Sequence, residues 1–73
     1  LNVLYQSDDN YAIFMGVSIC SLLENNRAAE EINIYVIDDS VSGDMKRQIG
    51  RMVDSYQRKV RFVPTESVLN IRG

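Results

Sequence analysis

The side chains best suited to ligand chemistry lie in one short polar stretch, Gln6-Ser7-Asp8-Asp9-Asn10-Tyr11. Its carboxylates and amides offer acceptors for a ring N–H or for the hydroxyls of a ribose. Tyr11 adds a flat ring on which a base can stack, an interaction worth ~1–3 kcal/mol in base-stacking sites. The stretch therefore predicts a nucleoside pocket.

The same stretch contains no glycine, whereas a Gly-x-Gly-x-x-Gly turn uses glycines to bring the backbone close to a pyrophosphate. A phosphate held directly at the following helix would be repelled by Asp8 and Asp9. Two structural alternatives stay open. In the first, Asp8, Asp9 and Asn10 do no more than cap the helix; in the second, Tyr11 is a core aromatic. For a second acidic pair, Asp38-Asp39, we favour turn formation over a ribose-binding role.

Composition narrows the class of protein. The 73 residues suffice for one domain, and 45% hydrophobic with 25% charged residues are typical of a globular chain rather than a disordered one. A net charge of −2 and the lack of a basic stripe beyond Arg58-Lys59-Val60-Arg61 argue against nucleic acid as a partner, and we expect that cluster to be solvated surface. The absence of histidine excludes imidazole-based triads and the common zinc sites within this chain.

The single Cys20 is expected to be a buried, reduced thiol, since it lies within an apolar run. That run, from Tyr11 to Leu23, is interrupted by serines and is shorter than the ~20 residues that a membrane span needs. With no secretory signal visible, we expect a cytoplasmic protein; membrane-peripheral attachment of a longer parent would depend on segments outside this sequence.

Hydrophobic periodicity predicts strand, helix, strand, helix and strand in that order. The unbroken apolar run within residues 2–6 is typical of a strand buried on both faces, and residues 32–37 give the strongest strand signal. A helix over residues 11–25 is apolar on most of its circumference, with Ile13, Phe14, Val17, Cys20 and Leu23 at helical spacing, so we expect it to be largely buried. Gly16 at its centre indicates close packing against a neighbour.

The second helix shows a single apolar stripe after a capping serine, Ser42. The stripe consists of Met45, Ile49, Met52, Val53 and Tyr56. A third strand over residues 60–63 stops at Pro64. Alternation of this kind implies a parallel sheet with right-handed crossovers, whose carboxyl edge binds ligands.

We assign residues 1–64 to this βαβαβ unit and residues 65–73 to a loop with one helical turn at most. Three parallel strands are half of a doubly wound sheet, so we expect a fragment of a larger protein. Its exposed strand edge is expected to pair with a second copy or with the missing part.

A family resemblance covers nearly the whole chain. It is carried by Val3-Leu4-Tyr5-Gln6-Ser7-Asp8-Asp9-Asn10-Tyr11, by Gly16-Val17-Ser18-Ile19 with Ser21-Leu22-Leu23-Glu24-Asn25, by Ile32 to Asp39 with Val41-Ser42, and by Val60-Arg61-Phe62-Val63. These runs resemble the N-terminus of glycosyltransferase family 8, which includes bacterial lipopolysaccharide glucosyl- and galactosyltransferases and is related to glycogenin. The resemblance implies an α/β fold: a three-layer βαβαβ sandwich with a parallel sheet, the N-terminal half of a Rossmann-like GT-A fold.

The resemblance also implies a function, the retaining transfer of a hexose from a UDP-sugar to a glycan or lipopolysaccharide acceptor. In such members the residue matching Asp8 accepts from uracil and the one matching Tyr11 stacks on the base. Gln6, Ser7 and Asn10 belong to the same UDP-binding set. Gln6 replaces a residue that is often small in the family, so its backbone contact is better supported than a side-chain role.

The family's Asp-x-Asp motif, which holds Mn²⁺ (or Mg²⁺) on the sugar diphosphate, is absent here, because neither Asp8-Asp9 nor Asp38-Asp39 has that spacing. We therefore expect the parent protein to be a hexosyltransferase and this chain alone to be inactive, with no catalytic or metal-binding residues. Two other classes stay open. One is a receiver-like signalling domain, disfavoured because Pro64 stands where its phosphoacceptor is needed; the other is a noncatalytic interaction module.

Overall fold

The computed structural model describes residues 1–67, which form three strands and two helices in alternation. Their bounds are β1 (Asn2–Ser7), α1 (Ala12–Asn25), β2 (Asn33–Asp38), α2 (Gly43–Ser55) and β3 (Val60–Pro64). The predicted order of elements is confirmed. Residues 65–67 adopt helical backbone geometry, and the rest of the loop assigned to residues 65–73 lies outside the described residues.

The sheet is parallel, with strand order β1-β2-β3. Its register aligns Tyr5 with Val36 and Val36 with Phe62, so side chains of the three strands share a face in rows. Both crossovers step in the same direction along the sheet, and right-handed connections then place both helices on one face. The packing confirms that both helices lie on one face, because residues of both helices and of that face of the sheet form one core cluster.

The core lies between the sheet and the two helices. Its buried members are Met15, Ile19, Leu23, Ile32, Ile34, Val36, Ile49 and Val53. The opposite face of the sheet is open in the described residues, with Leu4 66% and Tyr35 36% exposed. The prediction that the first strand is buried on both faces is therefore wrong for this part of the chain, and residues 1–67 contribute a sheet and one helical layer of the expected three-layer GT-A arrangement.

Helix α1 is buried along one stripe only, so the prediction that it is largely buried is wrong for the described residues. Its buried residues are Ala12, Met15, Ile19 and Leu23. Ile13, Phe14 and Val17 are instead 64–67% exposed. The sequence offered two apolar faces at helical spacing, and periodicity alone does not decide which of them meets the sheet.

Helix α2 agrees with its prediction. The Ser42 hydroxyl accepts a hydrogen bond from the Met45 N–H at 3.2 Å, which caps the helix, and Asp44 lies in the first turn. Ile49 and Val53 are buried, while Met45, Met52 and Tyr56 pack against the core. Because α2 has a single apolar stripe, only one face of this helix could be buried against the core.

The ends of the two helices meet at a polar cluster. The Tyr56 hydroxyl donates to Glu24, and the Arg27 guanidinium lies 4.9 Å from the centre of the Tyr56 ring. The hydrogen bond from Tyr56, reinforced by Arg27, lowers the pKa of Glu24, and the same bond raises the pKa of Tyr56. Cys20, expected to be buried, is half-buried with its Sγ 3.6 Å from the Tyr56 hydroxyl oxygen.

The basic cluster after α2 is largely engaged by protein groups. Arg58 donates to the carbonyls of Ala29 and Glu30, which fastens the connection between α1 and β2. Lys59 pairs with Asp54 at 3.1 Å on the exposed surface. Lys59 and Arg61 are exposed, as expected of solvated surface, whereas that expectation is wrong for Arg58, which is half-buried and bonded to backbone carbonyls.

No helix of the described residues is long and apolar enough to cross a membrane. Strands β1 and β3 are the edges of the sheet within residues 1–67. Pairing of an edge with a second copy therefore stays a prediction, and a sedimentation coefficient that does not change with protein concentration would contradict it.

Gly16 faces α2, and a Cβ built on it would lie 3.6 Å from Cγ1 of Ile49, an ordinary van der Waals contact. Gly50 has no neighbour within 4 Å of such a Cβ, and neither glycine has a positive φ. We expect Gly16→Ala and Gly50→Ala each to raise the free energy of unfolding by about 0.5–1 kcal/mol, since alanine loses less backbone entropy in a helix. Denaturant unfolding measures both, and a loss of stability in Gly16→Ala alone would mean that the helices pack more closely than described.

Candidate functional site

The candidate site lies at the carboxyl edge of the sheet, where the β1–α1 and β2–α2 connections run side by side. The register pairs Ser7 with Asp38, the last residues of their strands. One step further, the Asp39 N–H donates to the Ser7 carbonyl at 2.9 Å. The Asp9 carboxylate accepts a hydrogen bond from the Ser42 N–H, also at 2.9 Å, so the β2–α2 connection is bonded once to the end of β1 and once to the β1–α1 connection.

A shallow cavity of about 360 Å³ opens between these connections, and we call it the carboxyl-edge cavity. Its lining is Gln6, Ser7, Asp8, Tyr11 and Asp39. Four of the five residues singled out in the sequence therefore line one space, while Asn10 is exposed in the adjacent turn and lies outside the lining. A larger hollow of about 470 Å³ lies along β2 and β3, away from this stretch.

Asp8 combines a local structural role with exposure. Its Oδ1 accepts the N–H of Tyr11 at 2.9 Å, and Tyr11 itself is the N-cap residue of α1, without a side-chain cap. The capping alternative therefore holds in part: the N-cap residue is Tyr11 rather than Asp8, Asp9 or Asn10, yet the Asp8 carboxylate bonds to the N–H at the start of the helix. Among the described residues no hydrogen bond is made to Oδ2 of Asp8, so this exposed carboxylate keeps acceptor capacity towards a ligand.

The Tyr11 ring is not part of the core. It is 48% exposed and stacks on Phe14, with ring centroids 6.2 Å apart and planes inclined at 29°. Phe14 lies one helical turn further along α1 and is itself exposed. The alternative of a core aromatic is therefore wrong, and Tyr11 offers ring surface at the cavity.

Ser7 shapes the cavity without offering it a free hydroxyl. Its side chain is almost fully buried, and its Oγ donates to the Asp8 carbonyl at 2.7 Å. This bond holds the chain where it leaves β1. Gln6, by contrast, is exposed on the open face of the sheet.

Asp38 is a structural residue, as the preference for turn formation anticipated. Its Oδ1 accepts the Val41 N–H at 2.7 Å, and its Oδ2 pairs with Lys46 Nζ at 2.9 Å. Burial opposes ionisation of Asp38, but the hydrogen bonds from Lys46 and Val41 outweigh it and lower the pKa of the carboxyl.

Asp39 is the cavity residue that sequence reasoning missed, because turn formation was preferred for both members of the pair. Ile34 and Val36 are buried on the side of the helices. Because side chains alternate between the two faces of a strand, Asp38 also lies on that side and Asp39 faces the carboxyl edge. The alternation of β2 was therefore the signal that separates the two residues.

Charge determines what this cavity can bind. Asp8 and Asp39 are its ionisable acidic members, and among residues 1–67 no lysine or arginine lines it. Both helix N-termini at this edge already receive protein carboxylates, Asp8 at the Tyr11 N–H and Asp9 at the Ser42 N–H. Phosphate is thus disfavoured, whereas hydrogen-bond donors are favoured.

Metal ligands are not gathered here. Within residues 1–67 there is no group of three or more acidic, cysteine or histidine side chains that could hold a metal ion. The donor set of the described residues therefore does not fit the divalent cation that the family resemblance implies.

The family model for glycosyl transferase family 8 matches residues 2–71 of the chain. The chain belongs to glycosyltransferase family 8. A curated relative in Haemophilus influenzae, named "Putative glycosyltransferase", is 33% identical over 64 residues, which is 88% of this chain and 19% of the relative. General stress protein A of Bacillus subtilis is 27% identical over 67 residues, or 92% of this chain and 23% of that protein.

Solved structures of the galactosyltransferase LgtC share the fold. An active-site mutant of LgtC superposes with a TM-score of 0.77 at 22% identity, over 88% of this chain and 22% of LgtC. LgtC in complex with donor and acceptor sugar analogs gives a TM-score of 0.74 at 22% identity, over 88% of this chain and 23% of LgtC. The α/β GT-A assignment is confirmed, and this family 8 chain spans about a fifth of the length of the proteins it matches.

The Asp38–Lys46 pair predicts a specific dependence of stability on pH. Because the folded-state pKa of Asp38 is lowered, its contribution is present above the ordinary value of 3.8 and is lost as the pH falls through the lower folded value. We expect Lys46→Met to shrink the loss of unfolding free energy between about pH 7 and about pH 2.5. Urea unfolding at both pH values measures it.

Lys59→Met is the matched control, because it removes the lysine of an ion pair whose side chains are 90% and 58% exposed. Exposed pairs of this kind contribute little, so the acid-induced loss should stay as in the wild type. Equal acid profiles for all three proteins would contradict the role assigned to the Asp38–Lys46 pair.

Proposed function

We propose that this chain forms the uridine-binding part of a retaining hexosyltransferase that uses a UDP-sugar donor. The observation that carries the proposal is the carboxyl-edge cavity, in which an exposed carboxylate and an exposed aromatic ring lie within one turn of chain in a member of glycosyltransferase family 8. The family match supports the reaction class, and the cavity supports the nucleoside end of the donor.

The chemistry of uracil suits this lining. The base has a single ring N–H, for which the Asp8 carboxylate is an acceptor, and a flat face that stacks on Tyr11. Asp39 also lines the cavity, and we propose its carboxylate as an acceptor for ribose hydroxyls. Gln6 contributes through its backbone, and Asn10 is assigned to the rim because it lies outside the lining.

The diphosphate of the donor needs a separate counter-charge. Neither helix N-terminus at this edge is free of carboxylates, so we propose that Mn²⁺ or Mg²⁺ neutralises the diphosphate. Its ligands would come from outside residues 1–67, because the described residues hold no suitable group. This chain alone is then expected to lack transferase activity.

The acceptor is proposed to be a glycan or lipopolysaccharide. The LgtC structure with donor and acceptor sugar analogs supports a sugar acceptor for relatives of this fold. We propose a cytoplasmic location with peripheral membrane attachment for the full-length protein, and fractionation of cells that express it tests the location.

We expect Tyr11→Ala and Asp8→Ala each to weaken the binding of UMP by the full-length protein about tenfold or more. The first removes the stacking surface, and the second removes the carboxylate acceptor. Tyr11→Phe keeps the ring and should bind within about threefold of the wild type, since its hydroxyl has no assigned role. Isothermal titration calorimetry with UMP measures all of them.

Ile13→Ala and Asp54→Asn are the controls, because both change exposed side chains outside the cavity. Each should bind UMP as the wild type does. Wild-type affinity in both Tyr11→Ala and Asp8→Ala would remove this cavity from nucleotide binding.

The proposed role of the cation gives a separate prediction. Millimolar Mn²⁺ should raise the affinity of the full-length protein for UDP about tenfold or more and leave the affinity for uridine unchanged, since uridine carries no phosphate. Calorimetry in the presence of Mn²⁺ and of EDTA makes the comparison. An equal effect on both ligands would contradict neutralisation of the diphosphate.

A further inference from the structure

Asp9 bridges two chain segments that are far apart in sequence. Its Oδ1 accepts the backbone N–H of Ser42 at 2.9 Å, across a separation of 33 residues. Asp9 itself is exposed and is absent from the lining of the carboxyl-edge cavity. Its carboxylate therefore acts on the protein rather than on a ligand.

The bond joins the two chain segments whose residues line the cavity. Gln6, Ser7, Asp8 and Tyr11 belong to β1, the β1–α1 connection and its end, whereas Asp39 belongs to the β2–α2 connection. Asp9 follows Asp8 directly, and Ser42 follows Asp39 by three residues. A backbone hydrogen bond from the Asp39 N–H to the Ser7 carbonyl ties the same β2–α2 connection to the end of β1.

The partner of Asp9 strengthens the bond. Ser42 is the N-cap residue of α2, so the Asp9 carboxylate lies at the positive end of that helix dipole. A charged acceptor at a helix N-terminus makes a stronger hydrogen bond than a neutral one. The Ser42 hydroxyl is engaged elsewhere, as the acceptor for the Met45 N–H.

We infer that Asp9 is a positioning residue for the uridine site, holding the β2–α2 connection at a fixed distance from Asp8 and Tyr11. The inference rests on the proposed function. Loss of the Asp9 bond lets the two walls of the cavity separate, so that Asp39 and Asp8 no longer face one ligand together. The Asp9→Asn substitution would retain a side-chain carbonyl acceptor for the Ser42 N–H, although without the charge.

The test compares Asp9→Ala, Asp9→Asn and Ser42→Ala in the full-length protein, with UMP affinity and thermal unfolding measured for each. Asp9→Ala should bind UMP about tenfold more weakly, and Asp9→Asn should recover affinity to within about threefold of the wild type. Ser42→Ala removes the helix cap and keeps the N–H that Asp9 needs, so it should lower the unfolding temperature while binding UMP normally.

Amide hydrogen exchange supplies a readout that general destabilisation would not reproduce. In Asp9→Ala the amides of Ser42 and Asp39 should exchange faster than in Ser42→Ala, while core amides such as that of Val53 keep their protection. This pattern together with the loss of affinity supports the inference.

The outcomes separate the two claims. Wild-type UMP affinity in Asp9→Ala overturns the positioning role and leaves the proposed function standing. Equal losses of affinity in Asp9→Ala and Ser42→Ala also overturn it, because stability alone would then explain both. Absence of UMP binding by the wild type overturns the proposed function, and the positioning role falls with it.

Discussion

The parallel pairing of β1 with β2 is the constraint on which the rest of the structure depends. Its register sets Ser7 beside Asp38, so the two following connections leave the sheet at the same point. Each connection then supplies one wall of the carboxyl-edge cavity. A shift of one residue would reverse the faces of β1 and move Ser7 out of the helix-covered side.

Carboxylates at the helix N-termini give this edge its chemical character. In dinucleotide-binding folds the N-terminus after the first strand is left open for a pyrophosphate. Here Asp8 accepts the N–H at the start of α1, and Asp9 accepts the N–H at the start of α2. These carboxylates make the same backbone architecture unfavourable for phosphate and favourable for ligands that donate hydrogen bonds.

Much of the fold could be predicted from the sequence, because most elements carry unambiguous local signals. The single stripe of α2 and its Ser42 cap determined both the helix and its buried face. Helix α1 lacked that clarity, since Phe14 and Val17 lie on an apolar face as regular as the one that Met15 and Ile19 bury. Periodicity alone does not decide between the two faces. Only part of the candidate site could be predicted from the sequence. Asp8 and Tyr11 are close together in the chain, so a local pattern identifies them. Asp39 comes near them only because β1 pairs with β2, and a local pattern does not contain that pairing of distant segments.

The central claim is that one ligand, uridine, is held between the two connections at the carboxyl edge. The most direct measurement is an NMR titration of the full-length protein with uridine, following the backbone amides of Tyr11 and Asp39. We predict that both amides shift along one binding curve while the Val53 amide in the core stays still. A titration that saturates with neither amide shifting would contradict the claim.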